Sequence, residues 1–356
     1  MKILNRIAKL FIQIILNLFL ISTKYNKYDF EKHLIRYLKF NKKQIKINDY
    51  EEKLFSSIKY IEFLKESKHN NIYFQKIKNP KVSFIATLYN QENYLSNFIF
   101  SVQNQKLKEY EFLFVDDYSL DNGTKTLKDL QKNDKRIKLI KNKKNMGALY
   151  SRYIGELNAK ADYIIFIDCD DFVMENGIFN SYQYAKKYNI DIIQFHVVRQ
   201  DKNQISIKNF CDNFRKTIYQ PYLSYVHYYN FKNKKAHEYN YALWNKLTKR
   251  KIVNKAFKWI GEKFLKEKIV IHNDLIILFS LIRNANSFKY LDEIGYYYYK
   301  ANKNCTSSSW KNIAKSNEIL HSCFLNIKFL YEKTDNNYLD KYFCIYKLQN
   351  FYNIYI

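Results

Sequence analysis

Tyr163-Ile164-Ile165-Phe166-Ile167-Asp168-Cys169-Asp170-Asp171 is the stretch on which the fold turns. Five aromatic or aliphatic residues in a row read as a strand buried on both faces, the pattern of a parallel sheet. Three carboxylates follow within four residues. On an extended chain Asp168 and Asp170 point to opposite faces; a turn at the strand end brings both round one cation. Such hard oxygen ligands suit Mg²⁺ or Mn²⁺, which often bind through one or two carboxylates plus substrate phosphates. Cys169 reads as a small core hydrophobe, because its neighbours favour a hard cation. Asp171 stays open between this cluster and a cap for the next helix.

Working outward, Val82 to Leu88, Phe112 to Val115, Ile137 to Ile140 and Ile190 to Val198 read as further strands. Between them, Leu95, Phe98, Ile99 and Val102, then Leu127 and Leu130, then Leu149, Tyr153 and Leu157 fall at helical spacing. Strands alternating with helices predict an α/β fold with right-handed crossovers and a mostly parallel sheet covered on both faces. The first strand runs into Tyr89-Asn90-Gln91-Glu92 and the second into Asp116-Asp117, so polar residues gather repeatedly at one edge. That carboxyl edge is where open parallel sheets bind ligands. Asp121 and Asn122 read instead as cap or Asx-turn residues.

The 356 residues, 47% of them hydrophobic, suffice for one large α/β domain with appendages and exclude global disorder. A formal charge of +26 suggests nucleic acid or an anionic membrane. The lysines are spread along the chain without a focused stripe among stacking aromatics, so a nucleic-acid partner is not expected. The cysteines number five, without a Cys-x-x-Cys pair, which indicates free thiols in a reducing compartment.

From residue 81 to about 185 the chain resembles family 2 glycosyltransferases of the GT-A fold. The resemblance rests on Val82-Ser83-Phe84-Ile85-Ala86-Thr87-Leu88-Tyr89-Asn90 with Glu92, on Ser101-Val102-Gln103-Asn104-Gln105, and on Phe114-Val115-Asp116-Asp117-Tyr118-Ser119. Asn145-x-Gly147, Ser151-Arg152, Gly155 and the stretch from Tyr163 to Asp171 complete it in order. It implies transfer of a sugar, with inversion, from a nucleotide diphosphate to a hydroxyl on a glycan, lipid or protein-linked glycan. It further implies that Thr87 and Tyr89 line the base pocket, with Tyr89 on uracil if the donor is a UDP-sugar. Asp117 would accept a hydrogen bond from the base, Asp116 would support the turn, and Glu92 would lie on the donor side. Arg152 would stand near the donor phosphates or support the acidic loop. Asp168 would lie near the ribose or donor sugar, and Asp170 would hold the Mn²⁺ or Mg²⁺.

Further on, Trp244-Asn245-Lys246-Leu247 with Lys249-Arg250 resembles the segment preceding the catalytic helix in capsule- and wall-type members. Ile271-His272-Asn273-Asp274 stands where those members show Glu-Asp. The resemblance makes Asp274 the candidate general base, with a helix N-cap as its competing role. Asn273 in place of Glu leaves open a sugar-nucleotide binding protein without turnover; a nucleotidyltransferase lacks its Gly-rich basic loop here. Tyr297-Tyr298-Tyr299 and Asn304-Cys305-Thr306 match later features loosely.

The expected organisation is a helical extension over 1–79, a GT-A domain over 80–310 and a helical tail over 311–356, with a boundary at Asn79-Pro80. A chain starting near residue 70 is expected to keep its turnover. Residues 10 to 21 form a short apolar run after Arg6 and Lys9, open between a membrane anchor, an interfacial helix and a docking helix. The expected location is accordingly cytoplasmic or at a membrane surface facing a reducing compartment.

Overall fold

The structure is a computed structural model that describes residues 50–66, 73–201, 204–208, 218–219, 242–299 and 313–333. The apolar run at 10–21 and Asn304-Cys305-Thr306 lie outside them. The chain divides into two compact units, one of Lys43–Leu223 with His237–Asn326, the other of Met1–Lys42, Ser224–Ala236 and Ile327–Ile356. The larger unit holds everything below; in the other, the described residues are the last turns of a helix, with a surface pair Lys328–Glu332.

The strands are β1 (Val82–Leu88), β2 (Tyr110–Asp116), β3 (Ile137–Lys141), β4 (Tyr163–Asp168), β5 (Phe172–Val173), β6 (Ile192–Asp201), β7 (Gln204–Lys208), β8 (Ile218–Tyr219), β9 (Lys246–Lys249) and β10 (Ser287–Tyr299). The helices are α1 (Tyr50–Glu66), α2 (Glu92–Gln103), α3 (Gly123–Asn133), α4 (Ala148–Asn158), α5 (Gly177–Tyr188), α6 (Arg250–Ile260), α7 (Glu262–Leu265), α8 (Asn273–Asn284) and α9 (Ile313–Lys333).

One sheet runs β3-β2-β1-β4-β9-β6-β10-β5, with β7 on β6 and β8 on β10. Its first four strands are parallel, as their unbroken apolar runs require: β1 is buried at six of its seven positions. Beyond β4 the sheet turns mixed. The fifth expected strand, observed as β6, does not extend the parallel set, because antiparallel β9 lies between it and β4.

Register decides where the site lies. Thr87 pairs with Asp168 of β4 and with Val115 of β2, while Leu88 pairs with Asp116. The carboxyl ends of three neighbouring strands therefore finish at one level. Helix α4 lies tight against β1: a Cβ on Gly155 would come within 2.3 Å of the Ile85 side chain. That close approach fixes how far Arg152, on the same helix, stands from the strand ends.

A second apolar cluster brings α1 onto the sheet. Ile61 and Leu64 of α1 are buried against Phe172, Met174, Val198, Ile207 and Tyr297, and Lys53 pairs with Asp292 at 2.9 Å. Phe74, ahead of the Asn79-Pro80 step, exchanges backbone hydrogen bonds with Asn133 and Lys135 and lies under the Arg136 guanidinium at 3.5 Å. The described residues ahead of Pro80 thus pack on the same unit as the sheet.

Candidate active site

Four segments meet at the carboxyl edge. The β1–α2 and β2–α3 loops are stitched together. Asn90 N–H donates to Ser119 Oγ (3.1 Å), Leu120 N–H to Asn90 Oδ1 (2.8 Å), Glu92 N–H to Asp121 Oδ2 (2.8 Å) and Asn122 N–H to Glu92 Oε2 (3.0 Å). Glu92 thereby joins the two loops. Asp121 also accepts from Gly123 N–H at 3.1 Å, the Asx turn its sequence suggests. Asp116 accepts from Ser119 N–H at 2.9 Å and supports the same turn.

Asp117 is buried, at 4% exposure, and its carboxylate organises the loop opening α4. Oδ1 accepts from Asn142 Nδ2 and Met146 N–H, both at 2.8 Å, and Oδ2 from Gly147 N–H at 2.7 Å. Gly147 has φ +86°, a conformation that favours glycine, which explains Asn145-x-Gly147. Three of about four lone-pair sites are filled, so Asp117 retains at most one for an outside donor. Thr87 is half-buried at the end of β1, and the Tyr89 ring beyond it is 47% exposed.

At the end of β4 the chain turns, with Asp171 N–H donating to Asp168 O at 3.3 Å. Asp168 and Asp170 are half-buried on either side of Cys169, whose buried thiol lies 3.4 Å from Thr87 O. Burial pushes that thiol up from its ordinary range. Asp171 caps no helix. It is buried, and its carboxylate accepts from Tyr296 Oη and Tyr299 N–H, each at 2.8 Å. Tyr296 Oη also accepts from Asp168 N–H at 3.1 Å. The Tyr296 ring stacks on Trp244 at 5.0 Å. Tyr296 was missed in the sequence; its signal is the run of four tyrosines after Gly295, a strand that polar tips can pin to the acidic turn.

Arg152 gathers the rest. It is 5% exposed; Nη2 donates to Asp168 Oδ1 at 3.2 Å, and Nη1 donates to Asp274 Oδ1 at 2.5 Å and also to Asn273 Oδ1. Burial works against its charge, and Asp274 and Asp168 outweigh that, raising its pKa above the ordinary arginine value. Burial pushes the Asp168 carboxyl up to about 7, with Asp274 and Asp170 adding to the rise and Arg152 opposing it. Arg152 thus pairs at once with the acidic turn after β4 and with the start of α8. Asp274 lies in the first turn of α8; the N-cap position is His272, at φ +58°, with no side-chain cap bond. Asp274 thus has Oδ1 fixed by Arg152, Oδ2 without a partner among the described residues, and a side chain 22% exposed.

For a cation the donor set is sparse. Among the described residues no group of three or more His, Cys, Asp or Glu is placed to hold a metal ion. Asp168 and Asp170 fit the case in which the chain supplies one or two carboxylates and a bound phosphate completes the shell.

A parallel α/β half-sheet with an acidic carboxyl edge, joined to a mixed half that carries a second acidic helix start, defines a GT-A-type domain. Residues 83–257 match the model of glycosyl transferase family 2, so the chain carries a domain of that family. The crystal structure of S. aureus TarS 1-349 in complex with UDP-GlcNAc has the same fold, with a TM-score of 0.52 at 17% identity, over 70% of this chain and 66% of that one. The poly(ribitol-phosphate) beta-N-acetylglucosaminyltransferase TarP of Staphylococcus aureus is 38% identical over 116 residues, 32% of this chain and 35% of its own length. A glycosyltransferase of Haemophilus influenzae is 34% identical over 133 residues, 37% of this chain and 49% of its own. The chain spans about half or less of the length of these curated relatives.

Proposed function

We propose that the domain is an inverting glycosyltransferase that moves a sugar from a nucleoside diphosphate, a UDP-sugar first of all, to an acceptor hydroxyl. The observation that carries this is the Arg152 bridge, which ties Asp274 to Asp168 at the donor edge. An inverting transfer needs a carboxylate within hydrogen-bond reach of the acceptor hydroxyl. Asp274 supports that role, with one oxygen held by Arg152 and the other without a partner among the described residues. The acceptor oxygen forms its bond to the anomeric carbon while its proton passes to Asp274 Oδ2. The bond from that carbon to the diphosphate breaks, and the electron pair leaves with the diphosphate. Mg²⁺ or Mn²⁺ held by Asp170, with Asp168 beside it, would supply neutralisation of that leaving group.

On the donor side, Tyr89 offers a ring face to the base, Thr87 lines the strand end, and the remaining lone pair of Asp117 is the site for a base N–H. Asn273, the residue that raised the non-catalytic reading, shares the Arg152 guanidinium with Asp274, which favours turnover. The test is a nucleotide-release assay with UDP-, GDP-, CMP- and dTDP-sugars, with and without Mn²⁺. Release of UDP from one sugar, at least tenfold slower in excess chelator, is expected. No release from any donor refutes the reading, and equal rates in chelator refute the cation.

A further inference from the structure

Among the described residues, four non-glycine residues have positive φ: Asn90, Tyr118, Asn189 and His272. Asparagine and histidine visit this region with some ease; a bulky aromatic at φ +70° is an outlier. Such a backbone persists only where surrounding structure enforces it, and it clusters at ligand sites. The enforcement is visible on both sides. Asp117 N–H donates to Leu88 O, and Asp117 accepts from the loop that opens α4, while Ser119 is held by Asp116 and Asn90.

The Tyr118 side chain repays none of this strain through the fold. It is 53% exposed, and among the described residues neither its ring nor its hydroxyl makes a hydrogen bond or ring contact. Tyr89, at the end of the neighbouring parallel strand, is likewise exposed and without such a contact. The register that sets Leu88 beside Asp116 places both tyrosines just beyond adjacent strand ends, next to Asp117. Two uncommitted aromatic faces beside a buried carboxylate with one open acceptor site suit a flat heterocycle carrying an edge N–H.

We infer that Tyr118 is a base-binding residue, forming with Tyr89 an aromatic seat for the nucleobase of the donor. The assignment rests on the nucleotide-donor reading and adds to it a residue held in place at the expense of backbone ease. Its test is calorimetric binding of UDP in Mn²⁺ to wild type, Tyr118→Phe, Tyr118→Ala and Tyr118→Gly, with inorganic pyrophosphate as the base-free ligand and melting temperatures alongside. Base–aromatic stacking is worth enough that Ala and Gly should weaken UDP by about 5- to 100-fold. Phe should bind as wild type, and pyrophosphate should bind all four proteins alike. Tyr118→Gly should melt no lower than wild type, because glycine adopts φ +70° without strain. A residue serving only the fold gives the opposite result: UDP affinity unchanged and melting temperature lowered. If wild type binds UDP and Tyr118→Gly binds it equally, the donor reading stands and Tyr118 is refuted. If wild type binds none of UDP, GDP, CDP or dTDP, the donor reading fails and the assignment falls with it.

Discussion

At the scale of single residues, what a carboxylate does follows from which of its oxygens the chain already uses. Among the described residues, Asp171 has both engaged, Asp117 has one open site, and Asp274 has one whole oxygen open. Spacing alone could not separate these three, because each is an aspartate beside an apolar run. Arg152 was legible as a basic residue near the site, but its partners at Asn273 and Asp274 lie more than a hundred residues away. Glu156, on the same helix as Arg152, had no sequence signal at all. It is buried, Oε1 accepts from Asn254 at 3.2 Å, and Oε2 has no partner among the described residues. Burial raises its pKa. A raised folded-state value means that its contribution is fully present below the unfolded pKa and is lost as pH rises through the folded one. Glu156→Gln keeps the Asn254 bond and removes the charge. It should therefore melt higher than wild type at pH 8, with the gap closing toward pH 4; thermal scans across that range check it, and a gap independent of pH contradicts it.

At the scale of elements, β1 to β4 and helices α2 to α4 were readable because burial on both faces leaves unbroken apolar runs and helical spacing survives between them. The second half was less so. β10 carries Lys289, Asp292 and Glu293 among its aromatics, and β9 is only four residues long. Their places depend on pairing partners far along the chain. Helix α1 is the clearest case. Its periodicity is visible, but that it closes a core cluster is not, since its partners Phe172, Val198 and Tyr297 are distant in sequence. Burying Ile61 and Leu64 contributes roughly 1.5–3 kcal/mol each. A chain beginning at residue 43 should unfold at the same urea midpoint as the full chain. One beginning at residue 70 should lose several kcal/mol, on the order of that sum. Urea titration of the two truncations decides it; equal midpoints would show that α1 is dispensable.

At the scale of the whole molecule, the larger unit joins a parallel half that ends in the donor edge to a mixed half that delivers α8, with Arg152 bonded to both. On the proposed reading, with the base on one half and the donor on the other, catalysis is sensitive to a single carboxylate, whereas donor binding is not. The direct measurement is turnover of Asp274→Asn, with UDP affinity recorded on the same preparation. Asparagine keeps an oxygen for Arg152 and its place in the first turn of α8, so the fold and the donor edge stay intact. Turnover should fall by about 10²- to 10⁴-fold, the usual worth of a positioned base, while UDP affinity stays within about twofold. Near-normal turnover in Asp274→Asn would place the base elsewhere and contradict the account.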